Sequence, residues 1–277
     1  MALLIIVTQQ WHGAFSNDQV VGIQKMHRKA TPRIGGVAIL IGVFLAYWVT
    51  KIERQNLLCL LLLAGLPAFV FGLAEDLTKQ VSVTARLLAT MVSGALGWWL
   101  TGYSLTSIEV PWLDFALQWS LVSVLFTAFA VSGIANAVNI VDGFNGLASG
   151  FLIIALTAVA LIAYSVGDVG LSLGSLCIAG AFLGFWLVNW PWGKLFLGDG
   201  GSYFGGFALA WSCVMLVERN HQVLPHAALL VCIHPVTEVL FSVYRRTKRG
   251  LHPGHPDRLH LHTLLMRRFV RPLMSRF

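Results

Sequence analysis

Eight apolar runs, each close to the length of a membrane-crossing helix, follow one another through this chain with only short polar gaps between them. They extend approximately from Ile34 to Thr50, Asn56 to Ala74, Leu87 to Tyr103, Leu117 to Val138, Leu147 to Val166, Val169 to Asn189, Ser202 to Val217 and Val223 to Tyr244. A helix needs roughly 20 mostly apolar residues to cross about 30 Å of hydrocarbon. A soluble helical core would have to cover eight almost uncharged segments, and only 11% of the 277 residues are charged against 57% hydrophobic. Ordinary soluble domains carry about 25% charged residues. The expected fold is therefore all-α: a polytopic integral membrane helix bundle with about eight transmembrane helices, forming one domain over residues 1–277.

Orientation follows from charge, because short loops rich in Lys and Arg stay in the cytoplasm. All but three of the 19 basic residues fall on one side of the alternating spans; the exceptions are Lys51, Arg54 and Arg219. Strict alternation also brings five polar sequences to that same side: KMHRKATPRIGG, FGLAEDLTK, NAVNIVDGFNG, FLGDGGS and HPDRLHLH. Charge and motif position are separate readings, and they agree on a multi-pass membrane protein with its site facing the cytoplasm. The net charge of +7 suits anionic lipid headgroups or a phosphorylated substrate. Nucleic acid is disfavoured, since the basic residues are spread over separate loops with no recognisable binding module.

Cys59, Cys177, Cys213 and Cys232 all lie inside apolar runs without paired spacing, as small core residues do. Met1 to Val7 is apolar but too short to span, and reads as the tail of a helix whose beginning lies outside the sequence. Residues 263–277 place four arginines among Leu, Met and Phe, the pattern of a basic amphipathic tail lying in the headgroup region.

The candidate chemistry is confined to the polar gaps. Glu75 and Asp76 stand together at the inner end of the second run, where paired carboxylates suit a metal or a proton transfer. Asn136, Asn139, Asp142 and Asn145 recur every three residues, which would stack them on one helical face. Asp199 lies between Gly198 and Gly200 before another run, where its short carboxylate suits a divalent ion and the glycine-rich helix start suits phosphate. Lys25, His27 and Arg33 sit with a proline and two glycines in the first motif. Asp257, Arg258, His260 and His262 form the last, and its alternate histidines share a direction only in an extended segment. The spacing does not match a zinc-binding HExxH helix. Glu238, with His234 and Pro235, is costly at membrane depth unless it faces protein or water, through an ion pair with Arg245 or Arg246 or through a site.

Taken in order, these five sequences resemble those of the bacterial polyprenyl-phosphate N-acetylhexosamine-1-phosphate transferases. That family includes relatives of phospho-MurNAc-pentapeptide translocase and enzymes that start O-antigen and teichoic-acid chains. The resemblance covers nearly the whole chain. It implies Mg²⁺-dependent transfer of a sugar 1-phosphate from a UDP-sugar to undecaprenyl phosphate, with release of UMP. It places Asn139 and Asp199 at magnesium-associated positions, and Asp76, Asp142, Glu75, His260 and His262 in catalysis. Asp76 in particular matches a proton acceptor or phosphate-positioning residue. Lys25, His27, Arg33 and Asn136 fall on the substrate side, where Asn145, Asp257, Arg258 and, from its cost at membrane depth, Glu238 are also expected. Glu75 stands where aspartate is common, Asn145 where an acidic residue is frequent and Thr263 where a further histidine is frequent. Members usually carry about ten spans, so a first and a last helix are expected beyond these eight, and a homodimer is compatible with the resemblance. Two other classes fit parts of the chain: a relative that binds lipid carrier or nucleotide sugar without turnover, and an ion-coupled transporter, whose coupling residues are normally nearer the midplane.

Overall fold

The computed structural model describes residues 1–18, 31–50, 57–250 and 259–270. It is an all-α polytopic membrane protein. Two short helices come first, α1 (Ala2–Val7) and α2 (Gln9–Ser16), and a minimal antiparallel pairing of Asn17–Asp18 with Thr31–Pro32 follows. The bundle is then built from α3 (Gly35–Thr50), α4 (Leu57–Thr78), α5 (Val83–Thr101), α7 (Ser120–Val141), α8 (Leu147–Ser165), α9 (Val169–Asn189) and α10 (Gly198–Arg219), with α6 (Pro111–Leu117) as a short surface helix between α5 and α7. The chain continues through α11 (Pro225–Val231), α12 (Ile233–Lys248) and α13 (Leu261–Leu265), the last running into a π-helical turn at Met266–Val270. The expected basic tail is thus helical as far as Val270; residues 271–277 lie outside the described residues.

All eight apolar runs are helical, but they are not eight equal spans. Six helices among the described residues are long and apolar enough to cross a membrane: α4, α5, α7, α8, α9 and α10. The first run, α3, has 16 residues, about 24 Å at 1.5 Å per residue. The last breaks at Cys232 into α11 and α12, which are bent by 72°. Pro235 explains why α12 starts afresh: it lies in the first turn, where its missing N–H is harmless, and in one continuous helix its ring would clash with the carbonyl four residues earlier.

The outer faces of the bundle present Phe44, Leu45, Val70, Trp99, Leu125, Phe129, Ile154 and Leu187 to the surroundings, as lipid-facing helices do. The centre is α10, buried along its whole length to Val217 although it is among the less apolar of the six. Its GDGGSYFGG start explains this placement. Small residues let neighbouring backbones approach closely, which is how helices associate when lipid is as apolar as leucine. It packs against α4, α7, α3, α8 and α5.

Polar side chains tie the helices laterally. Pro67 inside α4 displaces the preceding turn, and the Ala68 N–H donates to Ser93 Oγ of α5 at 3.0 Å. Thr90 and Ser132 join α5 to α7 at 2.6 Å, and Asn136 Nδ2 donates to Thr90 Oγ1 and to the Ser132 carbonyl. Asp168 and Arg219 close the far end through a bidentate ion pair. Burial works against the Asp168 charge, but the Arg219 and backbone hydrogen bonds hold its carboxyl below the usual range.

Candidate active site

The N-termini of α3, α5 and α10 meet the C-terminal ends of α4 and α7 at one end of the bundle. Each contributes charged or polar groups. Asp76, in the last turns of α4, is buried, and its two oxygens accept the Asp199 and Gly200 N–H groups, both at 2.9 Å. The first amides of a helix have no partner within it. The glycine-rich helix start expected to attract phosphate is therefore already occupied, by a carboxylate of the same chain. Gly198 makes the approach feasible: its φ is +77°, and a Cβ there would lie 2.4 Å from the Arg33 carbonyl oxygen and 2.5 Å from Asp76 Oδ2.

Asp199 is the hub. Its Oδ1 accepts from Arg33 and, at 3.2 Å, from Asn139 Nδ2, while Oδ2 accepts from Arg86. Arg33 also reaches Asp76 Oδ1 through Nε at 3.2 Å, so one guanidinium bridges the two aspartates. Asn139 Nδ2 donates a second bond to Ser202 Oγ at 2.8 Å. Arg86 stacks over Tyr203 at 6.0 Å, and its buried Nε has no hydrogen-bond partner among the described residues. Arg86 is a residue that the motifs missed, having counted only towards topology. A signal was present, because a cation in the first turn of a helix opposes the helix dipole and calls for an anionic partner.

Asp142 caps α7, half-buried, and its carboxylate accepts no hydrogen bond from the described residues. Burial raises its carboxyl to about 7; the Arg33 charge opposes the rise, while Asp199 and Asp76 add to it.

The structure separates several residues that the sequence groups together. Glu75 and Asp76 are adjacent, and neighbours one apart do not share a helix face; Glu75 turns to the α4–α5 connection, accepting the Val81 N–H at 2.9 Å. The expected stack from Asn136 to Asn145 ends early, because α7 stops at Val141. Asn136 joins the seam with α5, and Asn145 lies against Gly193 in the α9–α10 loop. Asn189, not anticipated, fastens that loop, accepting from Gly146 N and donating to the Leu195 carbonyl. Glu238 pairs with His262 at 2.9 Å, not with Arg245 or Arg246. His260 and His262 do stack, at 5.6 Å between ring centroids, because the backbone at His260 is extended immediately before α13 begins. His262 reaches the turn after α7, edge-on to Phe144. Lys25, His27, Asp257 and Arg258 lie outside the described residues.

The cluster has the chemistry of a phosphate site that admits a hard cation. Mg²⁺ characteristically takes one or two carboxylates together with substrate phosphates, not an all-protein cage. The oxygens that could meet such a cation are those of Asp199, now held by Arg33, Arg86 and Asn139, the Asn139 amide oxygen and the Asp142 carboxylate, and among the described residues no group of three or more His, Cys, Asp or Glu forms a cage.

The model of glycosyl transferase family 4 matches residues 58–217, more than half of the chain. Among curated relatives, the undecaprenyl-phosphate alpha-N-acetylglucosaminyl 1-phosphate transferase of Yersinia pestis is 28% identical over 249 residues, covering 88% of this chain and 68% of that protein. The probable undecaprenyl-phosphate N-acetylglucosaminyl 1-phosphate transferase of Bacillus subtilis is 28% identical over 244 residues, with the same two coverages. The corresponding transferase of Escherichia coli K12 is 28% identical over 254 residues, covering 88% of this chain and 67% of that protein.

Proposed function

The chain belongs to glycosyl transferase family 4, and from that premise we propose that it transfers an N-acetylhexosamine 1-phosphate from a UDP-sugar to undecaprenyl phosphate. UMP is released, and the product begins a cell-surface polysaccharide. The names of the relatives support the acceptor and the class of sugar. The observation that carries the reading is the convergence of Asp76, Asp199, Asn139, Arg33 and Arg86 at the bundle end where five helices meet.

Phosphoryl transfer depends mainly on positioning and on neutralising charge spread over phosphate oxygens. Asp199 and Asn139 would hold Mg²⁺, which when bound supplies charge neutralisation at the donor diphosphate. Arg33 and Arg86, now paired with Asp199, bring guanidinium donors to the same place, and bidentate donors match phosphate geometry. Asp76 holds the start of α10 in register by filling its amides, so its role is to position Asp199. Asp142, whose carboxyl burial raises to about 7 and which accepts no hydrogen bond from the described residues, is the candidate acceptor for a proton from the lipid phosphate. The site opens on the cytoplasm of the bacterial inner membrane, so a soluble donor enters from one side and a lipid phosphate slides in from the bilayer.

The test is incubation of purified protein with undecaprenyl phosphate, Mg²⁺ and a panel of UDP-N-acetylhexosamines, following UMP and lipid-linked sugar. Stoichiometric UMP and lipid product with one donor, abolished by EDTA, are expected. Tight binding of donor and lipid without turnover would replace the proposal with a binding-only relative.

A further inference from the structure

Glu238 is a fully buried carboxylate on α12 with no part in the Asp199 cluster. Its face of the helix also buries Pro235 and Ser242, and α12 packs along α7. Its oxygens are turned to the segment that carries the two histidines. Oε2 accepts the Leu261 N–H at 2.9 Å, and Oε1 accepts both the His262 N–H at 2.8 Å and His262 Nδ1 at 2.9 Å. The first two are the unpaired amides that open α13, so the carboxylate seats that helix as a cap would. The carboxylate is fully buried with three protein donors on it, so it does not itself face a ligand.

The third bond has a chemical consequence. The proton state of one imidazole nitrogen is set by the hydrogen bond that the other makes. An acceptor at Nδ1 keeps the proton there, and the neutral ring then carries its lone pair on Nε2. Nε2 lies against the turn after α7: a Cβ added to Gly143 would stand 2.5 Å from it, and no hydrogen-bond partner for it occurs among the described residues. The ring is held in place by His260, stacked at 7° between planes, and by the edge contact with Phe144; Ser242 in turn engages His260 Nδ1 at 3.1 Å. The absence of a side chain at Gly143 is what lets the imidazole come this close to the turn.

We propose that Glu238 is a positioning residue that fixes His262 as the Nδ1–H tautomer and presents Nε2, as a hydrogen-bond acceptor, to an O–H or N–H of substrate bound at the Asp142–Gly143 turn. The inference rests on the transferase reading, since it needs substrate at that turn. It removes Glu238 from substrate contact and makes His262 the group through which Glu238 acts.

Two readouts on the full chain test it. Nitrogen-15 NMR of histidine-labelled protein, with His262→Ala identifying the resonances, should show wild-type His262 protonated at Nδ1 and unprotonated at Nε2. The proton on Nε2 in wild type would overturn the proposal without recourse to any variant. In kinetics, Glu238→Ala and His262→Ala should each lower kcat/KM by on the order of 10–100-fold, the usual size for loss of an orienting partner, with any rise in KM confined to the one substrate that donates to Nε2 and equal in the two variants. The double variant should be no slower than the singles, because both remove one unit; multiplied losses would contradict a shared role. Glu238→Gln keeps one acceptor oxygen and turns an NH₂ towards the remaining donors, so its kcat/KM should fall between wild type and Glu238→Ala; a value at or below that of Glu238→Ala would also count against the proposal. A wild-type enzyme with the Nδ1–H resonance but no turnover would refute the transferase reading and leave the tautomer assignment standing, so the two failures are distinguishable.

Discussion

Asp76 and Glu75 share a sequence neighbourhood but not a task, and substitutions should separate them. Asp76→Asn replaces an acceptor with an NH₂ facing the buried amides of Asp199 and Gly200, which should cost about 1–3 kcal/mol of stability and lower turnover sharply. Glu75→Gln keeps an oxygen for the Val81 N–H at a partly exposed turn, and turnover should change by about twofold or less, the equivalent of the ±0.5 kcal/mol typical of such sites. Thermal unfolding and UMP release measured on both variants check the pair; equal losses would show that the two carboxylates act together after all. At this scale the sequence marks the right residues but not their partners. Asp76, Asn139 and Asp199 stand out by type and position, whereas the bonds linking them cross up to 123 positions of chain. Arg86 was legible only as charge, because nothing in its local sequence indicates that Asp199 lies beside it.

Helices were the most legible elements, since length and apolarity alone define a span. The exceptions have local physical causes. The break at Cys232 comes from Pro235, and the early end of α7 at Val141 removes Asp142 and Asn145 from the face their spacing suggested. Pro67 does not break α4, because α5 provides Ser93 as acceptor for the Ala68 N–H. Ser93→Ala should therefore destabilise the protein by about 1–3 kcal/mol, the cost of a buried donor left unsatisfied, measured by unfolding in detergent; no change would mean that the α4 backbone satisfies itself. Gly198→Ala tests the start of α10, where positive φ and a 2.4 Å approach to the Arg33 carbonyl exclude a Cβ. The variant should lose most turnover and some stability together. At the opposite end, Asp168 has a depressed carboxyl pKa, so its stabilisation is present above the unfolded value of about 3.9 and is lost as pH falls through the lower folded value. Asp168→Asn should lower the melting temperature at pH 7, and the difference from wild type should shrink below about pH 4.

For the whole molecule, alternation of spans gathers the chemistry at one end. The sequence foresees this gathering for the FGLAEDLTK, NAVNIVDGFNG and FLGDGGS motifs, and the structure joins Asp76, Asn139 and Asp199 through side-chain and backbone hydrogen bonds. It could not foresee that α10, one of the less apolar helices, lies at the centre, since burial of a span depends on small residues meeting small residues across helices. The same central helix carries Asp199 in its first turn, so the rigidity of the core is passed directly to the proposed reaction centre. The transfer proposed for this centre is of a phosphosugar and not of a bare sugar. A UDP-N-acetylhexosamine labelled at the β-phosphorus, supplied with undecaprenyl phosphate and Mg²⁺, tests it most directly. Label in the lipid with unlabelled UMP in solution is the predicted result; label remaining in soluble UDP would contradict it.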